Sequence, residues 1–274
     1  MKKIIIVLAV ILLSMNISAQ KKLKVKGNGD VIEEYNDLVG FNQLEISDGL
    51  EVSLMQTGND GYRLRTDSNL FSSIKIEVVD SILRIYTSDR IRSSKKLEIS
   101  ITFQNLDRIA LSQGAKLNGQ NNMELSNLFL SCYDNSKFEL DLEATKFQLE
   151  MNSSSTGAIQ LRNNDAKMTL NDSAYLKGSI SSDNLSLFIN DRADMSIEGS
   201  SDNLNVVTSG SIDFKGSKLN AKKATVNASK ASKIHVYASK QLNVYAKGKS
   251  YIYVYGNPEI EVDGLNDTSQ IIKR

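Results

Sequence analysis

The chain has 274 residues, with 33 Lys and Arg against 32 Asp and Glu, one His, one Cys, one Pro and no Trp. The net charge of +1 argues against a general nucleic-acid-binding protein, and the single Cys and single His exclude an internal disulfide and most metal sites. A hydrophobic content of 41% excludes wholesale disorder, and the length allows one large domain or two ordinary ones. We expect no cofactor, no metal and no nucleic-acid partner.

Residues 1–19 have the pattern of a secretory signal peptide. Lys2 and Lys3 form a positive segment, an unbroken apolar run covers residues 4–13, and small residues precede Gln20. This layout predicts cleavage after Ala19 and an exported mature chain, located in the periplasm, at the outer surface or in the medium. An uncleaved membrane anchor is the alternative. No later segment approaches the roughly 20 apolar residues of a transmembrane helix.

Residues 20–104 alternate apolar and polar side chains, as at Leu50, Val52 and Leu54. This alternation is typical of half-buried strands, and no stretch has apolar residues at helical spacing, so the mature chain is predicted to be all-β. The strands of this region follow no fixed period. We interpret it as an N-terminal β cap or as irregular first coils, continuous with the repeats behind it, because terminal repeats of stacked folds are atypical. A small separate β-domain is the alternative.

A short sequence repeat, with a period of about 19 residues, covers residues 105–256. Each copy has an apolar-x-apolar triplet, such as Leu128-Phe129-Leu130, followed by a small-x-apolar triplet, such as Ser136-Lys137-Phe138. This period predicts a β-solenoid (β-helix), because one coil cannot bury its inward side chains alone and stacked coils bury a continuous apolar column. A sandwich with regular hairpins is the alternative. The polar tail, residues 257–274, is expected to cap the far end.

Three asparagines, Asn171, Asn190 and Asn227, follow the apolar triplet in their repeats. Their equivalent places predict a hydrogen-bonded ladder of side chains along the stack. Cys132 is interpreted as a small, unreactive residue of its coil.

The segment GLEVSLMQTG at residues 49–58 lies among further apolar motifs of the same region. These are Phe41, Leu44, Asn69-Leu70, Ile76-Glu77-Val78 and Leu83-Arg84-Ile85. Together with the signal peptide and the repeats, they resemble the family described as putative auto-transporter adhesin, head GIN domain, over residues 30–256. The resemblance implies a right-handed β-helix in an exported bacterial protein. It implies no catalytic residues.

Few residues suggest catalysis. The glycine-rich loop at residues 27–30 lacks the Lys-Ser/Thr of a phosphate-binding loop. Asp172, Asp191 and Asp194 come from neighbouring coils and are interpreted as solvated turn residues, with calcium binding or acid–base chemistry as the alternative. His235 alternates with buried positions and is expected to point outward, without a positioned nucleophile.

Charge and tyrosines mark the C-terminal repeats. Residues 212–255 carry nine Lys and one acidic residue, and residues 116–211 carry seven basic and thirteen acidic residues. We predict a binding surface here for a glycan, an envelope component or a second copy of the chain, in which aromatic rings stack on sugars. A cross-coil aromatic ladder that only stabilises the strands is the alternative. The candidate residues are Tyr237, Tyr245, Tyr251, Tyr253, Tyr255, Lys233, Lys247 and Lys249.

These observations favour an exported, non-enzymatic envelope or cell-surface protein that binds through the side of its solenoid. Two alternatives stay open. One is a polysaccharide lyase or hydrolase on a β-helix, and the other is a purely structural envelope protein.

Overall fold

The computed structural model describes residues 22–274, so the predicted signal peptide lies outside the described range. Within this range, one 3-10 turn at Ser68–Leu70 interrupts an otherwise all-β structure. Within residues 22–274, no helix has the length and apolar character needed to cross a bilayer.

Twenty strands follow one another along the described part of the chain. They are β1 (Lys24–Lys26), β2 (Val31–Asp37), β3 (Gln43–Ile46), β4 (Glu51–Gln56), β5 (Gly61–Asp67), β6 (Ile74–Val79), β7 (Ile82–Thr87), β8 (Arg90–Ser93), β9 (Leu97–Phe103), β10 (Arg108–Leu111), β11 (Lys116–Cys132), β12 (Lys137–Met151), β13 (Thr156–Leu170), β14 (Tyr175–Asp191), β15 (Asp194–Gly210), β16 (Asp213–Lys230), β17 (Lys233–Ala246), β18 (Tyr251–Tyr255), β19 (Glu259–Leu265) and β20 (Gln270–Lys273).

The long strands are coils of a β-solenoid of about nine turns, which confirms the predicted fold class and period. From β12 to β15, all strand residues of a coil except one at the turn into the third side are in parallel register with their equivalents one repeat later, as Phe138 is with Gly157. Such stacking pairs the backbone of each coil with both neighbours and buries one continuous apolar column.

Burial divides each coil into three sides. In β12, Phe138 and Leu140 face inward on the first side, and Leu142 and Ala144 on the second. Two exposed residues then turn the chain into the third side, which buries Phe147 and the next two alternate residues. A tight corner at residues 152–155 leads to the next coil. We use these names for the equivalent segments of every coil.

An asparagine ladder runs from coil to coil at the first residue of this tight corner. The side-chain amide of Asn171 donates to the Asn152 Oδ1 at 2.8 Å, and that of Asn190 donates to the Asn171 Oδ1 at 2.8 Å. The predicted ladder is confirmed for Asn171 and Asn190. The prediction is wrong for Asn227, which pairs with Val207 on the third side.

The misplacement of Asn227 has a simple cause. The third side buries three alternating residues, so an apolar-x-apolar triplet fits there in either of two positions. A shift of the triplet by two residues keeps the same side chains facing inward, so the alternation of apolar and polar residues does not reveal it. The pairing register in the middle of the repeat region is constant from coil to coil, so the coils there have equal length. The unequal spacing of the triplets therefore comes from this shift.

β1 and β8 pair only with each other in a separate two-stranded sheet, and the other N-terminal strands belong to the same hydrogen-bonded sheet as the coils. β3 and β4 pair in parallel with β10 and β11 on one edge and with β7 and β9 on the other. Antiparallel strands then extend the outer layer: β6 on β7, and β5 on β9. The fully buried Leu70, from the 3-10 turn, belongs to the same apolar core.

The C-terminal tail continues the solenoid. β19 pairs in parallel with β17, and β20 pairs in parallel with β18. The sequence repeat ends at residue 256, but the coiled pairing therefore extends to Lys273.

A candidate binding surface on the first side of the solenoid

Outward side chains of the first side form two columns along the stack, because the parallel register places equivalent residues of successive coils beside each other. The inner column contains Glu139, Ala158, Lys177, Ser196 and Lys215. The outer column contains Asp141, Gln160, Ser179, Glu198 and Lys218.

These columns line a groove with a volume of about 790 Å³. Small residues keep its floor low: Gly178 brings the backbone of its coil so close to the coil below that a Cβ there would lie 2.1 Å from the Ile159 carbonyl oxygen. Register shifts leave unmatched residues at both ends, after Asn118 and after Gly216. These residues form the end walls, so the groove has the shape of a trough along the solenoid axis.

The charged side chains of this groove are free to bind a ligand. Within residues 22–274, no opposite charge comes within 4.0 Å of Glu139, Asp141, Lys177 or Lys218. Lys215 forms an exposed ion pair with Asp213 at 3.3 Å. Glu139 and Asp141 lie at one end of the groove, and Lys215 and Lys218 lie at the other. Small or polar residues lie between them, together with one further charge of each sign, Lys177 and Glu198.

The inner column continues into an aromatic cluster, in which His235 follows Lys215 and precedes Tyr253. The outer column ends at Lys218, because the register shift after Gly216 places Tyr237 beside Asn220, and Tyr237 then pairs with Tyr255. The His235 and Tyr253 rings stack with centroids 4.6 Å apart and planes inclined by 14°.

Polar contacts tie this cluster together. The His235 Nδ1 lies 3.1 Å from the Tyr255 hydroxyl oxygen, and the Arg274 guanidinium lies 5.2 Å from the Tyr253 ring centroid. His235 comes from the coil before Tyr253 and Arg274 from the coil after it, so the ring of Tyr253 is packed between them. Tyr253 therefore presents its edge rather than its face to solvent, which is the geometry of a cross-coil ladder.

Partial burial lowers the pKa of His235, and the positive charges of Lys215 and Arg274 lower it further, against the opposing effect of Asp213. The imidazole is therefore neutral at pH 7, and one ring nitrogen serves as a hydrogen-bond acceptor.

The structure divides the predicted binding residues among three places. Tyr237, Tyr253 and Tyr255 lie on the first side, and Tyr251 lies there beside Lys233. Tyr245 lies on the third side, between Asn227 and Gly264. Lys247 and Lys249 flank Gly248 at the tight corner and are exposed.

The three aspartates of neighbouring coils lie at corners and strand starts. The Asp172 Oδ2 accepts the Ser153 amide at 2.8 Å, and the Asp194 Oδ1 accepts the Asp213 amide at 2.9 Å. Asp172 and Asp191 both have a φ of 61°, a conformation that Asp tolerates at corners. Within the described part of the chain, no three metal-ligating side chains form a group.

The glycine-rich loop binds an anion that the protein itself supplies. The Gly29 amide donates to the Asp67 Oδ1 at 2.5 Å, and the Lys95 amide donates to the Oδ2 at 2.7 Å. Gly27 is required for this approach, because a Cβ there would lie 2.5 Å from the Asp67 Cγ. Burial of Asp67 raises its pKa, but these amide hydrogen bonds outweigh that effect and hold the pKa below its usual value.

Cys132 is fully buried, and burial raises the pKa of its thiol to about 12. The thiolate, which is the reactive form, is therefore scarcely populated at neutral pH, as the sequence predicted.

The groove columns were missed in the sequence. Their residues are outward positions at a constant place in successive repeats, so the signal was present. This signal did not point to a binding site, because charged residues at outward positions usually do no more than contact solvent.

Comparison with known proteins gives one family. The model of the family described as putative auto-transporter adhesin, head GIN domain, matches residues 40–160 and 153–258. No curated protein matches the chain.

Solved structures share the fold. A crystal structure described as a putative lipid binding protein from Parabacteroides distasonis ATCC 8503 has 18% identity and a TM-score of 0.62, over 92% of this chain and 99% of that one. A putative adhesin from Parabacteroides merdae ATCC 43184 has 16% identity and a TM-score of 0.63, over the same shares. At such identities the likeness concerns the fold.

Proposed function

The chain belongs to the family described as putative auto-transporter adhesin, head GIN domain, and on this premise we propose that it is an exported, non-enzymatic protein of the envelope or cell surface that binds extended glycans along the first side of its solenoid. The observation that carries the proposal is the open groove, whose polar and charged side chains repeat from coil to coil, most of them without ion-pair partners.

The dimensions of a β-solenoid suit a linear glycan. Neighbouring coils lie about 4.8 Å apart, a distance comparable to one sugar residue of an extended chain. Each successive sugar would therefore meet an equivalent pair of outward side chains, such as Gln160 with Ala158, then Ser179 with Lys177. Hydroxyl, amide, ammonium and carboxylate groups are the partners that sugar hydroxyls need.

The aromatic cluster extends this surface beyond the groove. Its ring edges and tyrosine hydroxyls offer hydrogen bonds and apolar contact at the basic end, where His235 is in register with Lys215. A glycan longer than the groove would continue onto Tyr237 and Tyr255.

A glycan array with the full mature chain tests this function. Ser179→Trp fills the centre of the groove, and Ser200→Trp places the same side chain at an exposed position of the second side. We expect at least about tenfold weaker binding of the best glycan for Ser179→Trp and no change for Ser200→Trp. Equal binding by both variants would overturn the groove as the site, and an array without any bound glycan would overturn the proposed ligand class.

Location is tested separately. Protease added to intact cells should degrade a surface-exposed protein, whereas a periplasmic protein should resist until lysis. Fractionation that recovers the intact chain, including residues 1–19, in the cytoplasm would overturn export.

A further inference from the structure

The last coil leaves the apolar core open on its third side. Ile260, Val262 and Leu265 occupy inward positions of β19, yet 38%, 48% and 46% of their surfaces are exposed. Their register partners in β17 are fully buried. The described residues place no further coil over these side chains.

The backbone of β19 is also free along one edge. One edge of β19 pairs with β17, and among residues 22–274 no residue pairing joins its other edge to a strand, since β18 pairs with β17 and β20, and β2 pairs with β5. A free strand edge offers a row of amide and carbonyl groups to another extended segment.

The first side ends differently. Lys273 occupies the inward position next to Val254, and its ammonium donates to the Asn257 Oδ1 at 2.6 Å. An inward charge of this kind blocks strand addition. The open region is thus confined to β19, and we call residues 259–265 the open edge.

The charges of the open edge select its occupant. Glu259 and Glu261 alternate with the exposed aliphatic residues, and Asp263 follows in the irregular part of the strand. Within the described chain, no Lys or Arg nitrogen lies within 4.0 Å of these three carboxylates. Two-fold pairing of this edge with a second copy would bring the same carboxylates together, and like charges on paired strands are destabilising.

We propose that the open edge is a docking site for an extended segment of another protein, in which aliphatic residues alternate with Lys or Arg. The segment adds one strand to β19. Its aliphatic side chains cover Ile260 and Val262, and its basic side chains pair with Glu259 and Glu261. Main-chain hydrogen bonds provide affinity, and the alternating side chains provide specificity. This site is separate from the groove and does not rest on glycan binding.

A labelled heptapeptide, Lys-Val-Lys-Val-Lys-Val-Lys, tests the site by fluorescence anisotropy with the full mature chain. Two control peptides keep its length: one replaces Lys by Glu, and the other replaces the central Val by Pro, which removes a ladder hydrogen bond. The protein variant Glu259→Lys/Glu261→Lys reverses the charge of the open edge. Glu139→Lys/Asp141→Lys makes the same charge change in the groove.

We expect the Lys-Val peptide to bind at least about tenfold more tightly than either control peptide, and to lose at least about tenfold in affinity for Glu259→Lys/Glu261→Lys only. Equal loss in both double variants would reduce the effect to non-specific attraction and overturn the site. Sedimentation provides a second test. The proposal would also be overturned if the chain formed a concentration-dependent dimer that Val262→Asp abolished and that the peptide did not displace, because a second copy would then occupy the open edge.

Discussion

The two ends of the solenoid finish the same apolar column in opposite ways. At the N-terminal end, antiparallel strands β5 and β6 extend the outer layer, and Leu70 is fully buried. At the C-terminal end, β19 keeps the parallel coil geometry and leaves Ile260 and Val262 exposed. Parallel coils of equal shape always present another open layer, so closing the stack requires strands that abandon the period.

The ends also differ in how the chain reaches them. From β12 onward, each coil stacks on the coil that precedes it in the chain, so its partners lie about one repeat away. In the N-terminal part, Gln43 pairs with the distant Arg108, which follows only after the chain has built the outer layer. Non-local pairings of this kind form slowly in folding, so the capped end depends on contacts that the repeats do not need.

The largest expected effect comes from breaking the regular stack at Gly199. This residue has a φ of 117°, and a Cβ would lie 2.1 Å from the Ile180 carbonyl oxygen. Gly199→Ala should therefore cost about 3 kcal/mol or more in unfolding free energy, measured in urea. Gly119→Ala, where the nearest atom is 3.4 Å away, should stay within about 1 kcal/mol. Similar losses for both would contradict the close stacking.

Removing the charge of Asp67 should weaken the capped end. Its folded pKa lies below the unfolded value, so its stabilising effect is present at neutral pH and is lost as the pH falls through the folded pKa, below about 4. Asp67→Asn should speed hydrogen exchange at the Gly29 and Lys95 amides at pH 7. In this variant, the protection of these amides should change less than in the wild type when the pH is lowered below about 4. Unchanged exchange at these amides would count against the carboxylate as the centre of this loop.

The asparagine ladder predicts a smaller effect. Asn171→Ala leaves Asn152 and Asn190 each without one partner and should cost about 1–2 kcal/mol. Asn227→Ala, at an exposed position outside the ladder, should change stability by less than about 0.5 kcal/mol. Urea unfolding of both variants measures the difference, and equal effects would argue against the ladder as a stabilising element.

The smallest expected effect is on the labelling of Cys132, which tests whether the capped end and the coils unfold independently. Cys132 lies in the solenoid, and its pKa of about 12 suppresses reaction with thiol reagents until its coil opens. If the capped end opens independently, labelling of Cys132 at pH 8 should be the same in Asp67→Asn as in the wild type. Faster labelling in the variant would show that the cap and the coils unfold as one unit.

Much of the regular region was predictable, because alternation and the short recurrence are local properties of the chain. The binding surface was predictable only in part. Tyr251, Tyr253 and Tyr255 share a side because they alternate within one strand. Tyr245 falls on another side because a corner separates it from Tyr237, and the apolar pattern does not show where the corner turns.

The sequence by itself determined the all-β class, the coil length and which side chains face inward, since each depends on residues close together in the chain. Tertiary structure decided the rest. Register shifts after Asn118 and Gly216 built the end walls of the groove, and pairing of β3 with β10 placed an early segment inside the stack. These outcomes depend on which distant strands meet, and every residue except Pro offers the same backbone donor and acceptor, so the sequence alone does not name the partner strand.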